Sequence, residues 1–445
     1  MMIRLRDLDD CFEGVIPSII ATAAADGTPN ISYLSHVALV DDDHIAISNQ
    51  FFAKTAANIR ANPHVSLQLV NGRNGKQYRL DATWVASEDN GPFFAHVENQ
   101  LLASSAQVGM AGVMRLRAID IFRVDSIAAV PSPFSTEEAP VGAKVPDLEA
   151  AGRMARAIAE QGDTEGAISA LLVGCGELGF DHAILLLGDP ARGPLATVAS
   201  RGYDRSGVGS EIAFGDGLIG TAALTGRPVK VSDMSRIRRM GAAIGAAAAG
   251  DENRTRTIAL PALADAMSQM AVPLRAQGTL LGVLFVESRE RLAFGKNHEL
   301  ALEIIAAQGA LALALCEALA SQARPAKLRP VNGAVGGRVI QVAHHAFDDS
   351  VFVDNLYVLK GVAGRLLAYM LDLYVSEGRS EFTNREIRAA ANLRLPEIKD
   401  NLETRLLLLR RRMDERNLPI RLIHAGRGQV RLLVNGTPDL QFNIK

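Results

Sequence analysis

The stretch from His44 to Leu69, HIAISNQFFAKTAANIRANPHVSLQL, decides how the first part of this chain folds. Its ends, His44 to Ser48 and Val65 to Leu69, alternate apolar and polar residues as half-buried strands do. Between them Thr55 to Ala61 reads as helix, so the order is strand, polar turn, helix and returning strand. The turn leads into a helix N-terminus, where backbone amides lack partners inside the helix and the macrodipole adds positive potential. Lys54 and Thr55 therefore stand where a phosphate would be held, and Ser48 and Asn49, at the end of the incoming strand, are positioned to donate to the same anion. The same pattern also fits an ordinary helix start with an exposed lysine.

The flanking residues extend the pattern. Phe12 to Pro17 (FEGVIP), Thr22 to Leu34 (TAAADGTPNISYL), the strand ending Ile47-Ser48-Asn49, the Lys54-Thr55 turn with Asn62-Pro63, and a closing strand from Met114 to Val124 follow in order. Across roughly residues 8–127 this arrangement resembles the split-barrel flavin-binding family of pyridoxamine phosphate oxidases and their relatives. The resemblance implies FMN, with Ser48, Lys54 and Thr55 at its phosphate, Ser35 and His36 near the flavin ring, and Gln68 aimed at the ring edge. It also has a gap. Oxidases of this family carry a substrate-binding Arg and His, preceded by a Trp, near the end of the barrel. Here that region runs out into Ala128 to Pro146, and the single Trp, Trp84, sits in a middle strand beside Asp81 and Thr83. Oxidation of pyridoxamine phosphate is not expected, because an enzyme must hold its substrate as well as its cofactor.

The 445 residues exceed one ordinary core and predict about three domains. A content of 48% hydrophobic and 22% charged residues matches a globular chain, and a net charge of -2 excludes a global attraction to nucleic acid, though not a local basic patch. The opening MMIRLRDLDD lacks the apolar middle of a signal peptide and no apolar run reads as a membrane span, so the expectation is a cytoplasmic protein with no membrane partner. Cys11, Cys175 and Cys316 lack the spacing of a disulfide framework or zinc site. At least two of them are expected as buried, inert thiols, and the polar context of Cys11 leaves exposure open for that one.

Two Pro-rich stretches, 129–146 and 321–337, read as linkers. They cut the chain into 1–128, 147–320 and 338–445. The expected class is multidomain α+β: a split β-barrel, an α/β sandwich and a winged helix-turn-helix.

The middle part opens and closes with amphipathic helices, at about Leu148 to Leu172 and Lys296 to Ala320, around short apolar strands. Within it Gly215 to Gly220, GDGLIG, formally matches the dinucleotide fingerprint. The context is wrong for one, since the preceding EIAF is a short edge strand and the helix that follows is barely two turns. The run FGDGLIGTAALTGRPVKVSD, Phe214 to Asp233, followed by MAVPLRAQGTLLGVLFVES, Met270 to Ser288, and the closing helix resembles the GAF sensory family. That implies a pocket over a sheet for an unidentified small molecule, or a unit that pairs and relays without a ligand. The small-residue segment Arg236 to Arg256 reads as a lid or a flexible insertion.

From Arg338 come short strands, then helices, with a capping box at Thr383 to Glu386, a helix from Leu395-Pro396, and a hairpin around Ala425 to Gly428. The order resembles the winged-helix output domain of response regulators. It implies that the helix from Leu395 enters a DNA groove, with Lys399, Thr404, Arg405 and Arg411 on that helix and Arg427 on the wing as contacts. On the outward face of that helix Asp400 and Glu403 would repel DNA, so the same face also suits a protein partner. The functional expectation is a cytoplasmic, homodimeric regulator that senses flavin or another small molecule; the alternative is an FMN-dependent oxidoreductase whose other parts regulate or pair it.

Overall fold

The computed structural model describes residues 3–34, 36–49, 53–107, 115–132, 145–191, 193–235, 252–322, 338–390, 393 and 402–444. Ser35, Lys399, the Leu395-Pro396 helix start, most of both linkers and most of the Arg236 to Arg256 segment lie outside the described residues.

The first part begins with a 3-10 turn, Leu5–Cys11, and builds β1 (Ser18–Ala23), β2 (Pro29–Leu34), β3 (Val37–Leu39), β4 (His44–Asn49), α1 (Ala53–Ala61), β5 (His64–Val70), β6 (Gln77–Glu88), α2 (Pro92–Gln107) and β7 (Ala118–Val130). All seven strands form one antiparallel sheet in the order β2-β1-β5-β6-β7-β4-β3. Register shifts between β6 and β7 at Asp81/Ala82 and Trp84/Ala86 bend the long pair. The sheet curls around Ile20, Leu67, Leu69, Leu80 and Phe122, all nearly inaccessible to water.

The middle part contains α3 (Leu148–Ala159), α4 (Thr164–Glu177), β8 (His182–Leu187), β9 (Leu195–Arg201), β10 (Glu211–Ile212), α5 (Gly217–Thr225), β11 (Val229–Val231), α6 (Glu252–Thr255), β12 (Ser268–Ala276), β13 (Thr279–Ser288) and α7 (Lys296–Gln322). Its antiparallel sheet runs β10-β9-β8-β13-β12-β11. Asp147 and Asp163 cap α3 and α4 by accepting from Ala150 N and Gly166 N. The GDGLIG glycines serve packing. Gly215 and Gly217 have φ of 86° and 57°, and a Cβ on Gly220 would lie 2.3 Å from the Ala213 carbonyl oxygen. They deliver Leu218, Ile219, Ala222 and Ala223 of α5 onto Ile184, Leu186 and Phe285 of the sheet.

Among the described residues one helix, Lys296–Ala320 within α7, is long and apolar enough to cross a membrane, contrary to the reading that no run qualifies. Its apolar content is core material, since Leu302, Ile305, Ala306 and Ala310 are buried against the sheet and the helices beside it.

The last part comprises β14 (Val339–His345), β15 (Ser350–Val353), β16 (Leu356–Leu359), α8 (Gly361–Glu377), β17 (Glu381–Thr383), α9 (Asn384–Ala389), α10 (Leu402–Glu415), β18 (Ile420–Gly426), β19 (Gln429–Val434) and β20 (Thr437–Ile444). Its two sheets are β16-β15-β14-β20, where β20 returns parallel to β14, and β17-β19-β18. Thr383 caps α9, its hydroxyl accepting from Glu386 N at 3.2 Å. The other half of the expected box is missing because the Glu386 carboxylate pairs with Arg379. The middle and last parts share one continuous apolar core, from Leu171 and Leu185 through Leu366 and Leu406 to Leu432, so their separation along the chain is not a separation in space.

Candidate functional site

The N-terminal turn of α1 is organised from below. Thr55, 4% exposed, points its hydroxyl inward, where Asn30 Nδ2 approaches at 3.1 Å and Ser32 Oγ at 2.8 Å. Asn58 Nδ2 donates to Thr22 Oγ1 at 3.1 Å, so these five side chains form a polar knot between α1 and the β1-β2 pair. Buried polar atoms must be satisfied, and this network fixes the direction of the helix axis and hence of its free amides. Thr22, Asn30, Ser32 and Asn58 escaped the sequence reading. For Thr22, Asn30 and Ser32 the sequence signal is polar residues at inward-facing strand positions, visible once the β1-β2 register is known, and for Asn58 it is a polar residue on the buried face of α1.

Lys54 is exposed and makes no salt bridge among the described residues. Ser48, 1% exposed, donates its hydroxyl to the His36 carbonyl at 3.3 Å. Asn49 Nδ2 donates to the Asp120 carboxylate at 3.0 Å, and Ser87 donates to the other oxygen of that carboxylate. Of the residues assigned to the phosphate, Lys54 is the one whose side chain stands exposed at the start of α1. The side chains of Ser48, Asn49 and Thr55 are committed to protein partners instead.

Gln68 stands elsewhere. Its cross-strand neighbour Ile19 is opposite Tyr33, on the outer face with exposed Ile31 and Tyr33, whereas Ile20 opposite Ser32 and Leu67 faces inward. Gln68 Nε2 donates to Gln77 Oε1 at 2.5 Å. Within one chain, Gln68 and the Thr55 knot occupy opposite faces of the β2-β1-β5 sheet.

His36 lies where the barrel meets the middle part. Burial, then the charges of His96 and Lys230, push its imidazole down to about 4, so it is neutral at physiological pH. Lys230 of β11 reaches Glu13 Oε1 at 2.7 Å, Glu299 at 3.6 Å and the Phe294 carbonyl at 3.2 Å. Burial alone would lower its pKa, but the two carboxylates outweigh burial and hold the ammonium above its ordinary value. Ser232 Oγ donates to the second oxygen of Glu13 at 2.5 Å. Beside this cluster Asn99 of α2 donates to the Pro228 carbonyl at 3.0 Å, and Arg73 donates to the Leu292 carbonyl at 2.6 Å. None of the contacts between barrel and middle part was legible in the sequence, since Glu13 and Lys230, Asn99 and Pro228, and Arg73 and Leu292 each lie more than a hundred residues apart.

Over the middle sheet, Glu287, 1% exposed, accepts from Tyr203 OH at 2.9 Å, Leu263 N at 2.5 Å and Gln269 Nε2 at 3.1 Å. Burial raises its pKa and that of Tyr203. All three cysteines are buried, Cys11 included, which closes the question of exposure for that thiol. Burial, reinforced by Asp10, pushes Cys11 up to about 12, and burial does the same to Cys175, so neither is a nucleophile at neutral pH.

In the last part, Lys399 lies outside the described residues, Arg427 is exposed, and Thr404 and Arg411 are turned toward the middle part. Arg411 donates to the Val198 carbonyl at 2.9 Å and pairs with Glu165 at 2.6 Å. Thr404 lines a small cavity with Thr164, Leu187, Leu281 and Leu313 of the middle part, and Arg405 is half-buried. Arg427 reaches the Gly162 carbonyl at 3.5 Å. Leu407, on the same outward face of α10, is 6% exposed. The described part of this helix, from Leu402, packs against the middle part through Arg410 and Arg411, while Asp400 lies outside the described residues.

Comparison with known proteins agrees with the first two parts. Residues 7–125 match the family model for pyridoxamine 5'-phosphate oxidase, and residues 163–314 match that for the GAF domain. No curated protein matches the chain. Among solved structures, an FMN-binding protein from Syntrophomonas wolfei is similar at 17% identity over 28% of this chain and 86% of its own, with a TM-score of 0.24. HupZ from Group A Streptococcus is similar at 24% identity over 30% and 99%, with a TM-score of 0.23. The GAF domain of a phosphoenolpyruvate-protein phosphotransferase from Coxiella burnetii is similar at 22% identity over 38% and 94%, with a TM-score of 0.30. The chain thus joins a pyridoxamine 5'-phosphate oxidase-like domain to a GAF domain within a multidomain α+β architecture.

Proposed function

We propose that this chain is a cytoplasmic regulator in which the oxidase-like barrel holds FMN, or a related phosphate ligand, as the thing sensed, and the GAF domain relays its state to the C-terminal part. The observation that carries this reading is the joint at His36. The barrel residue assigned to the flavin ring has its titration lowered by burial and by the charges of His96 and of Lys230 of the GAF domain, so a change in charge at that position is felt by the buried Glu13–Lys230–Glu299 cluster. Such a coupling suits a sensor better than a free-standing enzyme, which needs an open approach for a second substrate. Lys54 and the start of α1 would hold the phosphate, and the flavin would supply a redox state that alters charge at the ring.

A homodimer is part of the proposal. Exposed Ile31 and Tyr33, at 72% and 73%, share the outer barrel face with Gln68, one strand beyond Ile19, and Leu300, Ile304, Leu311 and Leu315 form an exposed apolar stripe along α7. The output is DNA binding through a winged helix, with Lys399, Thr404, Arg405, Arg411 and Arg427 as contacts once α10 leaves the GAF surface.

The test is the visible spectrum of the purified protein before and after FMN is added, followed by NADPH turnover and a promoter-fragment gel shift. Bound flavin with no turnover and a shifted fragment is the expected result. In Lys54→Ala, flavin content should fall while the circular dichroism is unchanged. Full flavin occupancy in that variant refutes the phosphate assignment, and steady turnover without DNA affinity makes the chain an oxidoreductase instead.

A further inference from the structure

Four carboxylates on the GAF domain take cations from the C-terminal part. Glu165 pairs with Arg410 and Arg411, Glu252 with Arg412 and Arg416, Glu317 with Arg388, and Glu211 with Lys360 at 3.0 Å. One contact has the opposite polarity, Arg256 to Asp348 at 3.0 Å. The distribution is otherwise one-sided: the acidic groups stand on the GAF surface and the basic groups on the C-terminal elements, with Arg410, Arg411 and Arg412 on α10 and Arg416 just past its end.

The arrangement resembles the recognition of a polyanion. Arg410 and Arg411 converge on the two oxygens of one Glu165 carboxylate, as two guanidinium groups converge on a phosphate. The Glu317 carboxylate that takes Arg388 also accepts from the Glu403 backbone amide at 3.3 Å, near the start of described α10. These cations are largely withdrawn from water, with side-chain exposures of 22% for Arg410, 19% for Arg411 and 3% for Arg412. Desolvated arginines need an anion, and here the GAF domain supplies it.

We infer that Glu165, Glu252 and Glu317 are internal competitors for a nucleic-acid backbone, holding α10 docked on the GAF domain until the docking is released. This inference rests on the DNA-output reading above and adds how that output is kept silent. Neutralising the carboxylates without changing their shape should loosen the docking and free the arginines for phosphates.

The test uses full-length Glu165→Gln/Glu252→Gln/Glu317→Gln, with Glu165→Gln alone as the milder variant should the triple fail to fold. Hydrogen exchange of amides 402–415 reads docking, and fluorescence anisotropy with a labelled duplex of about 30 base pairs reads the polyanion. A control variant, Glu160→Gln/Glu177→Gln/Glu290→Gln, removes the same charge from exposed sites outside these pairs. We expect exchange in 402–415 to rise roughly tenfold and duplex affinity to rise about as much, the control showing neither and the gain shrinking as salt is added. Unchanged exchange, or an equal duplex gain in the control, overturns the lock. Faster exchange with no gain in duplex binding keeps the lock and overturns the DNA output.

Discussion

Replacing Lys230 with Met tests whether the barrel and the GAF domain are held together by charge. The ammonium lies 2.7 Å from Glu13 and 3.6 Å from Glu299, with side-chain exposures of 10%, 12% and 7% for the three residues. With an effective dielectric constant of about 20, these distances correspond to attractions of about 6 and about 5 kcal/mol. Desolvation of the three ions offsets much of that sum. Removing the cation, however, leaves two buried carboxylates facing each other, and breaking a buried pair in this way costs about 3–5 kcal/mol. Trp84, the single tryptophan, lies in β6 and reports the barrel alone, whereas far-ultraviolet circular dichroism reports the whole chain. In the wild type both signals should change together on urea unfolding. In Lys230→Met the Trp84 midpoint should fall by about 2 M, taking a slope near 2 kcal/mol per M, and separate from the dichroism transition. Lys230→Met/Glu13→Gln removes one unpaired charge and should recover part of the loss. A Trp84 midpoint in Lys230→Met within about 0.3 M of wild type would refute the argument that this cluster joins the two domains.

Other consequences follow from the same geometry. The folded-state pKa of His36 is about 4, below its ordinary 6.5, so the native state binds fewer protons than the unfolded chain in that interval. Its contribution is complete above pH 6.5 and is lost as pH falls toward 4, with a ceiling of about 3 kcal/mol. Unfolding followed at Trp84 should accordingly lose less stability between pH 7 and 4.5 in His36→Asn than in wild type, and equal losses would count against the burial of this imidazole. Thr55→Val removes the hydroxyl shared by Asn30 and Ser32 and should cost about 1–2 kcal/mol by thermal unfolding, with weaker FMN uptake because α1 loses its orientation. A Thr55→Val protein as stable as wild type contradicts the polar knot. With Cys11, Cys175 and Cys316 at 4%, 0% and 7% exposure, none should react with Ellman's reagent within minutes in the native protein, while all three should react in denaturant.

Much of the local structure was legible from pattern. The run Val65 to Leu69 became the alternating strand β5, and His44 to Ser48 became β4, which is buried on both faces and not half-buried; the helix between them became α1, and the hairpin around Ala425 to Gly428 became β18 and β19. These elements depend on periodicity, turn residues and caps, all of which act over a few residues. The site was legible only in part. Lys54 stands exposed at the start of α1 as expected, yet Ser48 and Asn49 spend their side chains on the His36 carbonyl and on Asp120, because strands β3 and β7 pack beside them.

What local pattern could not reach was the set of partners brought in from far along the chain. In the sequence Arg411 of α10 read as a contact for DNA, and nothing local indicated Glu165, 245 residues from Arg410, which the fold sets against both arginines. The linkers read as divisions between independent units, yet the GAF domain and C-terminal part fill a common core and the barrel docks through a buried lysine. Periodicity states which side of an element is apolar or charged, but not what that side meets. The partner is settled by long-range packing, where burying apolar surface outweighs the ordering of distant segments and each buried charge must find its counterion.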